Sequence, residues 1–551
     1  MLPLSGTVWM LMPFVASLLA ILIFSILYVK RYRNPYESDR GSSITSIVAL
    51  FVSLLTCALI PVDIFIVSFM KDSSSHFKEW ALNITQRTDI ENSVLYSYYT
   101  LYSLIFFCVF ILIPFVYFYY EEKSEEGFTS EGRLCSAIKF TVGFLFVAVV
   151  LLLIGHQFIA ITHLLNSTFI PLREYSPPPN STTNGTNSSH EWIDDMKFIL
   201  DDLTRNKGED ALSMVLSILT SVGVIQLVIF TAFGMSSFPI GLIRGTKSAR
   251  LEMERIQDSH LTNQTKINAL RDRERIGNRL TPRERRQLTK LEENERIITR
   301  EEQYLLTYRG SLFYKLRNLV RPLQIGFGFI LCALSLIIWV SLLITNIDKA
   351  MHSLGMRMGY ALFKPQITNP IDIILVTFQR VFPLDYILIL CMSLFFIMAT
   401  MSGIKNLGIW FFCVRLYKIR VKKSSPQALL MLFATLMLTT LGINILFYCV
   451  SPQYVTYGSQ HYINATANNT VMVCSSIASS EDCTMTRVSA LLVRFFYKAW
   501  FFGAFYYWSM WAFIAVSVLS AVYVIIRPTR SVTDGLIDND DLEDSDDDLR
   551  A

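Results

Sequence analysis

Long apolar stretches separated by polar segments dominate this chain. Nine stretches reach the roughly 20 residues that an α-helix needs to cross a bilayer core about 30 Å thick. These predicted spans are residues 8–29, 44–70, 94–118, 138–161, 211–238, 322–346, 384–404, 427–450 and 499–526. The pattern predicts an all-α fold, that of a polytopic helical membrane protein with about nine transmembrane helices.

The same pattern divides the chain into four parts. They are 1–238 with five spans and glycosylated lumenal loops, 239–321 with a basic cytosolic helical hairpin, 322–530 with four spans, and an acidic tail, 531–551. The first span is followed, not preceded, by the basic cluster Lys30, Arg31 and Arg33. A secretory signal has the opposite polarity, so we expect a retained first helix with a lumenal N-terminus.

Charge and glycosylation sequons predict the same orientation. Loop 239–321 carries 19 Lys/Arg against 11 Asp/Glu and loop 405–426 carries six basic residues and no acid, whereas loop 162–210 carries four basic and eight acidic residues. Positive charge collects on the cytosolic side. Seven N-x-S/T sequons fall in the predicted lumenal loops: Asn83, Asn166, Asn180, Asn184, Asn187, Asn464 and Asn468. An eighth, Asn263, falls in the basic loop and should stay unmodified. With nine spans the C-terminus is cytosolic.

Residues 371–404 form an apolar run that is too long for one straight span. Pro383 interrupts it, with Arg380 and Asp385 on either side. We predict that 371–382 form a short interfacial or re-entrant helix and that 384–404 form the span. Non-helical backbone at membrane depth must be buried in protein or must line an aqueous cavity.

The cytosolic segment 246–320 keeps helical periodicity without apolar runs. Apolar positions recur on one side of each half: Ile256, Ile267 and Leu270, then Leu288, Leu291, Ile298, Leu305 and Leu312. Between the halves, Thr281, Pro282 and Glu284 form a capping-box start. We expect an antiparallel helical hairpin, serving either as a docking arm or as a packing element. Residues 301–306 (EEQYLL) also fit an acidic-dileucine sorting signal, although Leu305 belongs to the apolar stripe as well.

Two further segments carry local expectations. Cys474 and Cys483 lie in the predicted lumenal loop 451–498, where an oxidising compartment favours a disulfide between them. The tail 531–551 holds nine Asp/Glu and one Arg, and Ser545 precedes three aspartates. Such a tail is solvated by default, with an acid-directed kinase site as the alternative.

Composition excludes several classes of function. Of 551 residues, 52% are hydrophobic and 17% are charged, below the roughly 25% charged residues of soluble domains. The net charge of +4 gives no indication of nucleic-acid binding. Nine cysteines without a CxxC pair predict no metal centre. Residues 241–248 (GLIRGTKS) lack the spacing of a P-loop, and neither GxSxG nor HExxH occurs, so we expect no enzyme and no ATP use by this chain.

Charged residues within the spans need a reason, because each costs roughly 2.5–3.5 kcal/mol at the membrane centre. Asp63 follows Pro61, which loosens the helix by freeing the carbonyl of Cys57. This arrangement is typical of a substrate or proton path, but Asp63 could equally lie near enough to the lumenal end to reach water. Asp372, Arg380 and Asp385 form a second cluster, either part of the path or an Arg–Asp pair that holds the broken helix.

Two other sets of residues could either bind a ligand or have a purely structural role. His156 and His163 are seven residues apart, on one face of the fourth span, where they could sense acid, ligate cobalt or simply pack. Residues 495–513 hold twelve aromatic side chains, which suit either a planar ligand or a membrane-interface belt.

Several motifs resemble those of a known family, the limb-region-like, lipocalin-receptor-related membrane proteins. They are 61–65 (PVDIF), 101–123 (LYSLIFFCVFILIPFVYFYYEEK), 234–236 (GMS), 381–387 (VFPLDYI), 408–412 (GIWFF), 415–420 (RLYKIR) and 452–455 (PQYV). The resemblance extends from about residue 20 to 530 and is to the family members linked to lysosomal vitamin B12.

The resemblance implies a nine-span protein of the lysosomal membrane that takes part in export of cobalamin to the cytosol. It implies cobalamin as transported ligand without a permanent cofactor, and two partners: an ATP-binding-cassette half-transporter and a cytosolic cobalamin-processing chaperone. The chain would be either the permeation path or an escort of the cassette transporter. The alternative is an endocytic receptor or adaptor at the plasma membrane and in endocytic vesicles, acting with a clathrin adaptor on the insulin receptor.

Overall fold

The computed structural model describes most of the chain. The described residues are 4–34, 40–71, 76–121, 132–146, 149, 207–245, 249–276, 281–310, 312–356, 359–360, 362, 365–379, 381, 383–411, 414–417, 419, 424–464, 470–474, 482–498 and 500–527. The helices are α1 Leu4–Tyr32, α2 Arg40–Phe69, α3 Glu79–Leu82, α4 Ile84–Phe107, α5 Ile113–Glu121, α6 132–146, α7 Lys207–Gln226, α8 Ala232–Arg244, α9 Ala249–Arg275, α10 Pro282–Gly310, α11 Leu312–His352, α12 Pro370–Phe378, α13 Leu384–Leu407, α14 Pro426–Val450, α15 Pro452–Tyr457, α16 Arg487–Lys498 and α17 Trp500–Ile526. The strands are β1 Ile409–Phe411, β2 Val414–Tyr417, β3 His461–Asn464 and β4 Thr470–Val473.

The predicted all-α membrane architecture is confirmed. Within the described residues, eight helical segments are long and apolar enough to cross a membrane, and each coincides with a predicted span. The remaining predicted span, 138–161, begins on α6, and most of it lies outside the described residues. The small departures from an all-helical fold are two antiparallel strand pairs, β1–β2 and β3–β4, in predicted loops.

Two of the spans contain a π-helical turn that periodicity did not predict. Cys108–Leu112 joins α4 to α5, and Leu227–Thr231 joins α7 to α8. At the second turn, the buried hydroxyl of Thr231 lies 2.7 Å from that of Thr400 on α13. Such insertions are frequent at functional sites, and here a π turn coincides with a polar contact between two helices.

The chain forms two compact units, Met1–Ser236 with Ser335–Ser520, and Ser237–Leu334 with Ala521–Ala551. In the first unit α14 is the central helix, buried along almost its whole length and packed against α2, α7 and α13. Its backbone approaches α7 closely at Gly442 and Gly223. A Cβ atom on Gly223 would lie 2.1 Å from the carbonyl oxygen of Leu438. Small residues permit such close approach, which supplies van der Waals contact between membrane helices.

The predicted short helix before the seventh predicted span exists as α12, nine residues long. Asn369 caps it, accepting a hydrogen bond from the backbone N–H of Ile371 at 3.0 Å. The Asn369 amide also donates to the hydroxyl of Thr345 at 2.9 Å, and its oxygen accepts from Ser341. At about 13.5 Å, α12 is too short to span a membrane, and it ends at Phe378, four residues before the predicted end. Its interfacial or re-entrant placement stays a prediction.

The second unit contains the helical hairpin of α9 and α10. Met253, Ile256 and Leu305 form its buried core, with Ile298 packed against them. The capping box forms as expected: Glu284 N–H donates to the Thr281 hydroxyl at 3.4 Å, and Thr281 N–H donates to the Glu284 carboxylate at 2.9 Å. The hairpin therefore has the antiparallel, stripe-on-stripe packing that the periodicity predicts.

This packing argues against the sorting-signal interpretation of residues 301–306. Leu305 is fully buried in the hairpin core and Leu306, on the same helix, is 56% exposed. Sorting signals of this type act on exposed, extended chain. The hairpin fold explains Leu305 as a packing residue.

Arginine side chains join three helix ends in this second unit. Arg321 on α11 donates to the carbonyl oxygens of Leu242 and Ile243, at 2.9 and 2.6 Å, at the end of α8. Arg244, the last residue of α8, donates to carbonyl oxygens at the end of α17. The acceptors are the carbonyls of Val524, at 2.6 Å, of Arg527, at 2.7 Å, and of Ile525. Cationic side chains satisfy the free carbonyl groups there and complement the helix dipole.

The glycine after α8 is required by this arrangement. Gly245 has a φ of +65°, and a Cβ atom there would lie 2.5 Å from the Arg321 guanidinium group. The described part of 241–248 is therefore a helix end, since α8 ends at Arg244 and Gly245 follows it. It has none of the strand–loop–helix context of a P-loop.

Candidate functional site: a buried carboxylate network

Three of the buried carboxylates in the first unit, those predicted for a substrate or proton path, lie at the end predicted to be lumenal. They are Asp63 on α2, Asp372 on α12 and Asp385 on α13. All three accept hydrogen bonds from one segment of chain, residues 453–488. The arrangement brings together three of the motifs noted above, those at 61–65, 381–387 and 452–455.

Asp63 satisfies the first turn of α16. Its two oxygens accept from the backbone N–H groups of Arg487, at 3.2 Å, and Val488, at 2.8 Å. The next N–H, that of Ser489, donates to the Thr486 hydroxyl at 3.3 Å. Because the first N–H groups of a helix have no partner within the helix, Asp63 and Thr486 together complete this N-terminus. The positive end of the helix dipole also favours the carboxylate charge.

Asp372 has the same role at α15. It accepts from the backbone N–H of Gln453 at 3.4 Å and of Tyr454 at 3.1 Å. The preceding residue, Pro452, has no N–H, so the free donors of the first turn are largely satisfied by this one side chain. Burial raises the pKa of the Asp372 carboxyl to about 7, against the lowering effect of the two N–H groups.

Tyr454 is held from both sides. Its hydroxyl donates to Asp385 at 2.6 Å, while its backbone N–H is bound by Asp372. The second carboxylate oxygen of Asp385 is buried and has no hydrogen-bond partner among the described residues. This oxygen is where the network has capacity for a proton or a water molecule.

Polar contacts connect the two capped helices. Thr486 N–H donates to the carbonyl of Thr456 at 2.8 Å, and the Thr486 hydroxyl donates to that of Val455 at 2.7 Å. The end of α15 is thereby fixed to the start of α16. Asp63, Asp372 and Asp385 therefore bind one connected structure.

The segment between these helices is fixed to the end of α2. The Lys71 ammonium group donates to the carbonyls of His461, at 2.9 Å, and Asp482. Gln460 donates to the carbonyl of Val67 at 3.0 Å. Burial lowers the pKa of Lys71, and the neighbouring Arg87 lowers it further against the Asp482 carboxylate. Cys474 and Cys483 form a disulfide, with Cα atoms 5.8 Å apart, which closes this segment.

Not all of the predicted path residues can be placed. Pro61 lies buried within α2, two residues before Asp63, and α2 continues through it as a helix. Arg380 lies outside the described residues, so the predicted Arg–Asp pair remains a prediction. Asp372 and Asp385 do come together, through Tyr454.

The histidine pair and the aromatic run, both predicted as possible ligand sites, differ in how much the structure describes. His156 and His163 lie outside the described residues. In the aromatic run, Tyr507 stacks on Tyr360 with ring centroids 4.0 Å apart, and Tyr506 donates to the carbonyl of Ser217 at 3.0 Å. Among the described rings of this run, Tyr506 and Tyr507 are buried in packing contacts, whereas Phe501 and Trp508 are exposed.

The sequons differ in accessibility. Asn83 is exposed at the start of α4 and caps it by accepting from Thr85 N–H at 3.1 Å. Asn464 ends β3, and its side chain is outside the description, as are Asn166, Asn180, Asn184, Asn187 and Asn468 entirely. Asn263 is buried in the hairpin, and its amide donates to Leu291 and Glu295, both at 2.8 Å. A folded hairpin could not present this amide for glycosylation.

The arrangement is built to hold helix ends and to keep carboxylates out of water. Within the described residues, no three His, Cys, Asp or Glu side chains come together as a group that could hold a metal ion. Reasoning from the sequence identified the three aspartates but assigned no role to Tyr454, Lys71 or Thr486. Tyr454 lies in one of the motifs, a signal that could have singled it out.

Comparison with known proteins gives the family. A profile of the LMBR1-like membrane proteins matches residues 10–303. The chain belongs to this family. Among its curated relatives, "Probable lysosomal cobalamin transporter" of Nematostella vectensis is 40% identical over 98% of this chain and 97% of its own length.

Other relatives cover the chain equally. "Lysosomal cobalamin transport escort protein LMBD1" of Gallus gallus is 42% identical over 99% of this chain and 98% of its own length. The protein of the same name from Mus musculus is 40% identical over 96% of this chain and 95% of its own length. No solved structure matches the chain. Membership in the LMBR1-like family agrees with the resemblance carried by the sequence motifs.

Proposed function

We propose that this protein acts in the lysosomal membrane as an escort in the export of cobalamin to the cytosol, with cobalamin as the transported ligand. The observation that carries the proposal is about 40% identity over nearly the whole length to relatives named for this process. A transport or escort role of this kind is not enzymatic. The multi-pass helical fold is compatible with residence in a lysosomal membrane.

The geometry favours an escort over a permeation path. Asp63 and Asp372, two of the three carboxylates predicted for a path, are engaged with backbone N–H groups at helix ends. Such contacts stabilise a fixed arrangement of helices. They do not present charge to a passing ligand.

Lysosomal release of cobalamin is the direct test. Cells that lack the protein would be supplied with labelled cobalamin and re-expressed wild-type chain, and the label remaining in isolated lysosomes would be measured. We expect re-expression to restore release. Unchanged retention despite correct lysosomal localisation would contradict the proposal.

An escort requires a transporter to accompany. We propose an ATP-binding-cassette half-transporter as this partner, because the chain contains no nucleotide-binding motif, and a cobalamin-processing chaperone on the cytosolic side. Affinity purification of the tagged full-length chain should recover a cassette half-transporter. Purified chain alone that hydrolyses ATP would contradict this division of labour.

The hairpin α9–α10 is our proposed docking element for that partner. It exposes many charged side chains around a small buried core of Met253, Ile256 and Leu305. Replacing residues 249–310 by a short Gly/Ser linker should abolish recovery of the half-transporter. Intact recovery with this variant would show that docking occurs elsewhere.

A further inference from the structure

The distal part of the hairpin carries an excess of positive charge. Residues 266–290 contain nine basic and three acidic residues. Arg271 pairs with Glu292 at 2.6 Å, and Arg273 lies 3.5 Å from Glu284. Six further cations are exposed and form no ion pair with side chains that the structure describes: Lys266, Arg275, Arg283, Arg285, Arg286 and Lys290. We call the described residues in this range, 266–276 and 281–290, the basic tip.

Three cations of the basic tip lie on one helix face. Arg283, Arg286 and Lys290 recur at intervals of three and four, which places them on one face of α10. Like charges this close repel one another, and the buried core of the hairpin does not need them. The surface is therefore suited to an acidic ligand.

An acidic segment of the same chain follows α17. The tail 531–551 carries nine Asp/Glu and one Arg, with eight of the acids between 538 and 548. It follows α17, whose last carbonyl groups accept hydrogen bonds from Arg244. Arg244 in turn precedes Ala249, the first residue of α9, by five positions. The end of α17 and the start of α9 thus belong to one compact unit, and Arg244 links the two along the chain.

The lengths match. At 1.5 Å per residue, α9 is about 40 Å long, and the 21 or so residues from the end of α17 to Asp548 extend to about 70 Å. Tethering over this length gives the tail a millimolar-range effective concentration at the tip. Opposite charge then supplies the attraction, which salt should weaken.

We propose that the acidic tail, residues 531–551, binds the basic tip of its own hairpin. The tip is then an electrostatic docking surface whose resident ligand is the tail, and an acidic partner protein must displace the tail to use it. The contact is independent of what the protein transports.

Zero-length cross-linking of the full-length protein tests the contact. A carbodiimide joins a carboxylate to a lysine amine only when the two touch, and Lys266 and Lys290 supply amines at the tip. At about 50 mM salt we expect cross-linked peptides between these lysines and residues 538–548, with yield falling several-fold at 0.5 M salt. Absence of such peptides at low salt would overturn the proposal.

Charge reversal and isotope mixing sharpen the test. Arg283→Glu with Arg286→Glu leaves both lysines in place and should lower the cross-link yield at least five-fold, whereas Arg255→Glu, exposed near the hairpin base, should not. An unchanged yield in the double variant would contradict the proposal. In an equal mixture of ¹⁵N-labelled and unlabelled protein, cross-links confined to one isotope class support the proposal, whereas mixed pairs approaching half of the total would instead assign the tip to a second copy.

Limited proteolysis of tail variants provides a second test, in which the residues of the tip are unchanged. Replacing the acids at 546–548 and 540–544 by their amides leaves every described residue untouched. Trypsin should then cleave at Arg283, Arg285 and Arg286 several-fold faster than in the wild type, because the tail no longer covers them. Equal cleavage rates would show that the tail does not bind there.

Discussion

Asp63 supplies both of its oxygens to backbone N–H groups at the start of α16, so its substitution has calculable consequences. Asp63→Asn keeps one acceptor oxygen and places an amide N–H₂ against the other N–H. We expect a loss of about 1–2 kcal/mol in stability, from one buried donor without an acceptor, and near-normal cobalamin release once the protein is folded. The unfolding temperature in detergent and release from lysosomes measure the two effects.

Asp63→Leu serves as the comparison, since it leaves both N–H groups without a partner and should destabilise more strongly. A different pattern would support proton transfer by Asp63. In that case Asp63→Asn would fold with wild-type stability, reach lysosomes and release no cobalamin. That result would contradict a purely structural role.

Asp372 makes stability depend on pH. Burial raises the pKa of its carboxyl to about 7, so the folded protein retains a proton that the unfolded chain loses near pH 4. The folded state binds more protons in this interval, and stability therefore falls as pH rises. We expect wild-type protein to unfold at a higher temperature at pH 5 than at pH 8, and Asp372→Asn to reduce this difference. An unaltered pH profile in the variant would show that Asp372 titrates normally.

At the scale of elements, α7 and α14 approach each other closely because glycines, which have no side chain, lie where they cross. Gly223→Ala would place a Cβ atom 2.1 Å from the carbonyl oxygen of Leu438, a backbone atom that cannot rotate away. The helices must separate, and we expect a loss of about 1–3 kcal/mol, the usual cost of overpacking. Thermal unfolding in detergent measures it.

Gly143→Ala is the matched control. Gly143 lies on α6 and has no atom within 4 Å of the position that a Cβ would occupy. Alanine favours helix over glycine by up to about 1 kcal/mol, so this variant should be at least as stable as the wild type. Equal destabilisation by both substitutions would point to a general intolerance of alanine and against the close crossing.

Helices whose sequence signal lies within or beside them could be predicted. The hydrogen-bond network of the three buried aspartates could not. The spans, α12 and the hairpin follow from apolar runs, from Pro383 and from the Thr281–Glu284 capping box, all within a few residues of the elements that they define. The partners of Asp63 are 424 and 425 positions away, and they are backbone N–H groups, which any residue carries. The residue types at 487 and 488 therefore give no basis for predicting that these positions pair with Asp63. Likewise the π turns depend on packing with neighbouring helices.

At the scale of the whole molecule, the uneven distribution of charge determines the expected orientation. Basic residues concentrate between 239 and 321 and between 405 and 426, while the exposed Asn83 and the disulfide Cys474–Cys483 fall in segments predicted to face the lumen. Disulfides persist in oxidising compartments, so this bond and the charge bias point to the same side. The orientation remains a prediction that glycan mapping can test.

Glycosylation is expected at Asn83 and Asn464 and not at Asn263. The last site is ambiguous by itself, because burial against Leu291 and Glu295 would block it on either side of the membrane. Gln257→Asn resolves this: Gln257 is exposed on α9, and the substitution creates an N-x-S sequon with Ser259. We expect glycopeptide mass spectrometry to find no glycan at position 257, with Asn83→Gln losing one glycan as the positive control. A glycan at position 257 would place the hairpin in the lumen and overturn the orientation of all the spans.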